Sequence, residues 1–192
     1  MRRNVLLLIG LILMSSCSNK IAIPKPYAYY RIDLPTQKYK ITDDKYPFSF
    51  EYHKEAFIEK DKAYDAGKYW INIVYPALNA KIHLSYKELN NNFQTYNEDS
   101  HKLAYKHAIK AEAINESEYK NKKNNIYALI YNIKGNTASS VQFFVTDSTK
   151  NFLRGSLYFN CIPNKDSLTP MIDYIHYDIE HIIESFKWKD KN

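Results

Sequence analysis

Ser139 or Ser140, His107 and Asp147 together offer a nucleophile, a base and an orienting carboxylate, the side-chain types of an acyl-transfer triad. Neither serine sits in the Gly-x-Ser-x-Gly elbow that presents a nucleophile in hydrolases, and a trio of this kind arises readily by chance, so hydrolysis is the lesser reading. His107 falls on a helical stripe with Phe93, Tyr96 and Leu103. There a buried, hydrogen-bonded histidine is expected before a general base or a ligand. His101 and His107 are six residues apart, and His176 and His181 five apart. At about 100° per residue neither pair shares a helix face as an i, i+4 zinc pair would. No metal site and no cofactor are expected.

Beyond Arg2 and Arg3 the chain has two arginines, Arg31 and Arg154, in a sequence otherwise rich in Lys, Asn, Ile and Tyr. Two arginines kept against that bias suggest a need for the planar, bidentate guanidinium. An ion pair with a carboxylate such as Asp33 or Asp147 is one reading, and contact with a partner or an anionic ligand is the other.

These side chains must be positioned by a fold, and composition bounds it. The 192 residues are 45% hydrophobic and 15% aromatic, with 4 Gly and 2 Cys, which describes one globular domain and excludes disorder, collagen and a disulfide scaffold. Of 18 Tyr, most suit half-buried strand positions, and the remainder are available for a protein or glycan surface. Lys120, Lys122 and Lys123 lie among asparagines, and Lys187, Lys189 and Lys191 close the chain. They read as a solvated turn and tail, not a nucleic-acid surface.

Arg2 and Arg3, the apolar run Val5 to Met14, and Ser15-Ser16-Cys17 have the order of an export signal. The run is too short for a membrane span, which needs about 20 apolar residues. Met14-Ser15-Ser16-Cys17 is similar to the bacterial lipobox, with Met where Leu is usual, so residues 1–16 are expected to be removed and Cys17 to carry the lipid anchor. Processing would take away two of the 27 basic residues and none of the 21 acidic ones, leaving a mild positive excess. Ser18 to Tyr27 includes Pro24 and Pro26 and reads as an extended tether over 17–27, with the domain occupying 28–192. In the bacterial lipoproteins that this start resembles, acidic residues just after the Cys act as a surface-export tag, and their absence after Cys17 implies an outer-membrane anchor facing the periplasm.

Period-two patterning predicts strands at Tyr30–Leu34, Phe48–Tyr52, Tyr69–Tyr75 and Ile82–Tyr86, the last two a hairpin whose outer face carries Asn72, Lys81, His83 and Ser85. From Leu89 to Ala111 the spacing turns helical, with Leu89, Phe93, Tyr96, Ser100, Leu103, His107 and Ala111 on one face. Strands resume at Ile126–Ile133, Val141–Val145 and Phe152–Ile162, and the last should point Cys161 inward as a buried, unpaired thiol. An apolar stripe from Leu168 to Phe186 predicts a closing helix that begins near Asp166, with Pro170 in its first turn. The fold class is α+β: an antiparallel sheet packed with an internal and a C-terminal helix. The order resembles the PsbP/Mog1-like fold.

Several stretches resemble the gliding-motility lipoprotein GldD family of Bacteroidota. They include Tyr30-Arg31-Ile32-Asp33-Leu34-Pro35, Tyr46-Pro47-Phe48-Ser49-Phe50, Trp70-Ile71-Asn72-Ile73-Val74-Tyr75-Pro76 and Lys81-Ile82-His83-Leu84-Ser85-Tyr86. Val141-Gln142-Phe143-Phe144-Val145-Thr146-Asp147, Arg154-Gly155-Ser156-Leu157-Tyr158-Phe159 and Glu184-Ser185-Phe186-Lys187-Trp188 continue the match. The resemblance implies a process and a place: gliding, with its type IX secretion machinery, in the cell envelope. It assigns no catalytic residue and no cofactor. Partners would be the membrane, through the anchor, and other envelope proteins of that machinery, with a non-enzymatic subunit preferred over an envelope hydrolase or a glycan-binding lipoprotein.

Overall fold

The computed structural model describes residues 32–189. Seven strands form one antiparallel sheet: β4 (Phe57–Lys60), β5 (Ile71–Tyr75), β6 (Ala80–Glu88), β7 (Ala111–Asn121), β8 (Ile126–Gly135), β9 (Val141–Thr146) and β10 (Asn151–Phe159). Their order across the sheet is β4-β5-β6-β10-β9-β8-β7. The Pro76–Leu78 and Lys122–Asn124 turns end on Asn79 and Asn125 in the left-handed region, a conformation asparagine tolerates because its short side chain bonds locally. Two small pairs complete the strands: β1 (Tyr39–Ile41) with β3 (Glu51–His53), and β2 (Phe48–Ser49) with β11 (Lys187–Trp188).

The closing helix α2 (Lys165–Glu184) lays Ile175, Ile179, Ile182 and Ile183 on one sheet face. There they meet Ile71, Ile73, Ile82, Leu84, Phe143, Val145, Leu153 and Leu157. Each such side chain contributes about 1.5–3 kcal/mol on burial. Asn164 caps the helix by accepting from Ser167 N. Pro170 is the sixth residue of the helix and so lies in its second turn, not the first, where it removes one i→i−4 bond.

Helix α1 (Phe93–Tyr105) packs on the other face, with Phe93, Tyr96 and Ala104 against Tyr131, Ile133, Phe144 and Phe152. It ends well before Ala111. Ala104 is fully buried and Leu103 is exposed, because the small methyl lets the helix close onto the Tyr131 and Phe144 rings. His107 therefore sits past the helix, in a run of turns where its carbonyl accepts from Lys110 N and Ala111 N.

Other differences have physical causes. The chain from Ile32 forms no strand before Tyr39, and the Pro35 carbonyl instead accepts from Tyr174 Oη at 3.0 Å. The patterning predicts no strand between Ala111 and Ile126, where β7 runs. It is an edge strand with Glu112, Glu116 and Glu118 outward, charges that suit an edge but hide its periodicity. β10 stops at Phe159 because its partner β6 begins at Ala80. Cys161 thus falls in the following loop and is exposed, contrary to the buried thiol expected.

Candidate functional site

Cys17 and Arg31 lie outside the described residues. Arg154 projects from β10 toward the α1 side of the sheet, between Phe144 on β9 and Ser85 on β6. Its Nη2 donates to Gln142 Oε1, so its partner there is a neutral amide, not the Asp33 or Asp147 carboxylate considered above. Burial pushes the guanidinium below its usual value, while the Tyr158 and Tyr131 hydroxyls act the other way. His107 is also held below its ordinary value, first by burial and then by the positive charge of Arg154. Arg154 and His107 thus form one neighbourhood at the C-terminal end of α1.

Asp147 begins the turn between β9 and β10. Its Oδ1 accepts from the backbone N–H of Thr149, Lys150 and Asn151 at 2.9, 2.8 and 2.9 Å, and its Oδ2 accepts from Asn151 Nδ2 at 2.6 Å. Burial would raise this carboxyl, but the three backbone donors outweigh it and hold the group below the usual value. Ser139 and Ser140 precede β9, and Asp147 follows it. A strand of that length separates Ser140 from Asp147 by about 23 Å. The Ser139 hydroxyl donates to Val141 O. The proposed trio is not a site. Among the described residues no Ser, Thr or Cys side chain is hydrogen-bonded to a histidine ring nitrogen, the contact an activated nucleophile requires.

On the same sheet face as Arg154, beyond the reach of α1, runs a polar surface that spans β4, β5, β6 and β10. Glu59, Asn72, His83 and Ser156 follow one another across the strands in register. Asn72 does lie on the outer face, as the pattern indicated, yet it is buried, because its neighbours close over it. With its nitrogen facing them, the Asn72 amide donates to Ile71 O at 3.2 Å, Asp61 Oδ2 at 3.3 Å and His83 Nδ1 at 2.8 Å. Lys81 bridges to Glu59 at 2.9 Å, and the Tyr158 ring stands edge-on to His83 at 5.4 Å. Lys81, Phe57 and Tyr158 are exposed. The Ser156 Oγ is buried without a partner.

A second polar node lies under α2, and the sequence reading passed over it. Asp178 is fully buried and accepts from Tyr39 Oη at 3.0 Å. Burial pushes its carboxyl above the usual value, against the hydrogen bond from Tyr39. His53 Nδ1 accepts from Glu55 N, which leaves Nε2–H to donate to Tyr174 Oη at 2.8 Å. Tyr39 stacks on His181 at 3.7 Å, and His181 Nε2 meets Glu51 Oε2 at 2.8 Å. The node fastens residues 35–53 to α2. Its signal in the sequence was an aspartate on the apolar stripe between Ile175 and Ile182.

The chain matches the family described as gliding motility lipoprotein GldD over residues 19–188. It belongs to that family. The stretches that resembled GldD in the sequence fall inside this match, which places the chain among envelope lipoproteins of gliding motility. No curated protein matches it. Among solved structures it is similar to cyanobacterial PsbP (CyanoP) from Synechocystis sp. PCC 6803, with a TM-score of 0.51 and 11% identity over 83% of this chain and 97% of that one. At that identity the likeness bears out the PsbP-like α+β architecture and carries nothing about activity.

Proposed function

We propose that this GldD-family protein is a lipid-anchored, periplasm-facing subunit that binds and stabilises other proteins of the gliding and type IX secretion machinery, without catalysing a reaction. The observation that carries this reading is the half-covered sheet. α1 closes the face over β8, β9 and β10, while Phe57, Lys81, His83, Ser85 and Tyr158 on the other half remain at least partly accessible. A surface that sets two exposed aromatic rings, Phe57 and Tyr158, among polar side chains is the make-up of a protein interface. The Arg154 and His107 neighbourhood supports the sheet behind it. Cleavage before Cys17 and its lipidation supply the anchor.

Photo-crosslinkable residues placed at Lys81 and Tyr158 in intact cells test the reading, with mass spectrometry of the adducts. Envelope proteins of the motility apparatus should be captured from these positions and not from Lys120 on the β7 edge. An absence of such adducts, together with lost motility in a folded His107→Ala protein, would replace the adaptor with an enzyme.

A further inference from the structure

Arg154 stands where the covered and open halves of the sheet meet. On β10 it shares a face with Tyr158, four residues on and about 13 Å away along the strand. Ser85 lies directly across on β6, and His83 and Ser156 form the next rung. Ser85, His83 and Arg154 are each partly accessible, and Tyr158 is exposed. The guanidinium thus borders the surface proposed above for a partner.

The charge of Arg154 has no counter-charge among the described residues. Its hydrogen bond there runs from Nη2 to the buried Gln142 amide oxygen. The carboxylates nearest this face are engaged elsewhere: Glu59 by Lys81 at 2.9 Å, Asp61 beside His83 at 3.7 Å, Glu116 by the Tyr105 hydroxyl at 3.0 Å, and Asp147 by its own turn. His107, held below its ordinary value of 6.5, is neutral near pH 7 and adds no second cation. A guanidinium has two bidentate forks, and each Nη2 hydrogen belongs to one of them. The bond to Gln142 therefore engages one fork and leaves the other complete. Nε and Nη1 have no partner among the described residues and are not sealed from solvent. A partly buried charge in this state calls for one of opposite sign.

One missing negative charge, met by one planar fork, describes a carboxylate. A phosphate dianion would bring charge that Arg154 alone cannot balance. A small free carboxylate would have a single ion pair on an open face, and such pairs hold little by themselves. The carboxylate must therefore belong to a body that also covers the exposed Tyr158 and Phe57 rings, and an acidic side chain of a protein meets both conditions. We infer that the partner docks on this half of the sheet through an Asp or Glu side chain that takes the free fork of Arg154. Resting on the adaptor reading, this assignment adds the chemistry of the partner's contact.

The readout is the yield of protein adducts from photo-crosslinkable residues at Phe57 and Tyr158 of the full chain in intact cells. The yield should fall at least fivefold in Arg154→Gln. Arg154→Lys, which keeps the charge and loses the fork, should retain at least half of it; thermal melting checks that each variant is folded. A water-soluble carbodiimide, which joins an amine to a carboxylate in direct contact, should link the Arg154→Lys side chain to an Asp or Glu of the captured protein, located by mass spectrometry. That arm needs only the charge-conserving variant, so it decides even where Arg154→Gln fails to fold. Equal yields with and without Arg154→Gln in folded protein, equal yields from Arg154→Gln and Arg154→Lys, or no carbodiimide link from position 154 to an acidic residue would each overturn the proposal and leave the adaptor reading standing. No protein adducts from Phe57 and Tyr158 in the otherwise wild-type chain would overturn both.

Discussion

Replacing Asp147 by alanine leaves the backbone N–H groups of Thr149, Lys150 and Asn151 and the Asn151 side-chain amide without their acceptor. Thr149 and Lys150 are exposed, so water can satisfy their donors, and most of the cost falls on the half-buried Asn151. Hydrogen bonds to a charged acceptor are worth about 1.5–3 kcal/mol, which puts the loss at about 2–3 kcal/mol. For a chain of this size each kcal/mol lowers Tm by about 2–4 °C, so the variant should melt about 4–12 °C below wild type at neutral pH. The folded carboxyl lies below its unfolded value of 3.8. Its contribution is therefore complete above 3.8 and is lost as pH falls through the folded value. The gap between wild type and Asp147→Ala, followed by circular dichroism from pH 7 downward, should narrow below that point. A variant that melts with wild type at pH 7, or a gap that survives acidification, would refute the account. A folded variant without motility would return Asp147 to a chemical role.

Gly155 is buried opposite Phe143, and a methyl group there would fall inside the aromatic ring. Gly155→Ala should therefore cost about 1–3 kcal/mol or more and lower the denaturation midpoint in urea. Asp178 has its folded pKa above 3.8, so the stability it adds is full below 3.8 and is lost as pH rises through the folded value. The Tm of Asp178→Asn relative to wild type should accordingly be higher at pH 7 than at pH 4. Cys161, exposed in the loop after β10, should react with a bulky maleimide in native protein as fast as in urea, and strong protection would contradict its placement. Cys17→Ser should lack acyl mass and leave the membrane fraction, which intact-mass measurement of fractionated cells decides.

The closing helix was legible because Ile175, Ile179, Ile182 and Ile183 repeat on one face and meet a continuous core. The β5 and β6 hairpin was legible because strict alternation matches one buried face. β7 was not, since both of its faces meet solvent over most of its length and only the ladder with β8 makes it a strand. Cys161 was misplaced for a related reason: alternation continues along a sequence after the neighbouring strand has ended, and the end of β6 is not written in β10. Individual site residues were harder to read than elements. Asp147 looked like an orienter, but three local N–H groups occupy it. Ser156 and His83, which the register does set side by side, come from segments 73 residues apart and could not be paired from spacing.

The pairing of β2 with β11 sets an order on biogenesis. Lys187 and Trp188 complete a two-stranded ladder with Phe48 and Ser49, and Lys189 N reaches Pro47 O. The contacts that seal the core therefore join the two ends of the described chain. Loops of that span close slowly, because their entropy must be lost before any contact repays it. The core cannot be sealed until β11 has been synthesised, so the part of the described chain that precedes it stays open until then. A truncation that removes only β11 should therefore be cleared by proteases far faster than its small loss of buried surface suggests.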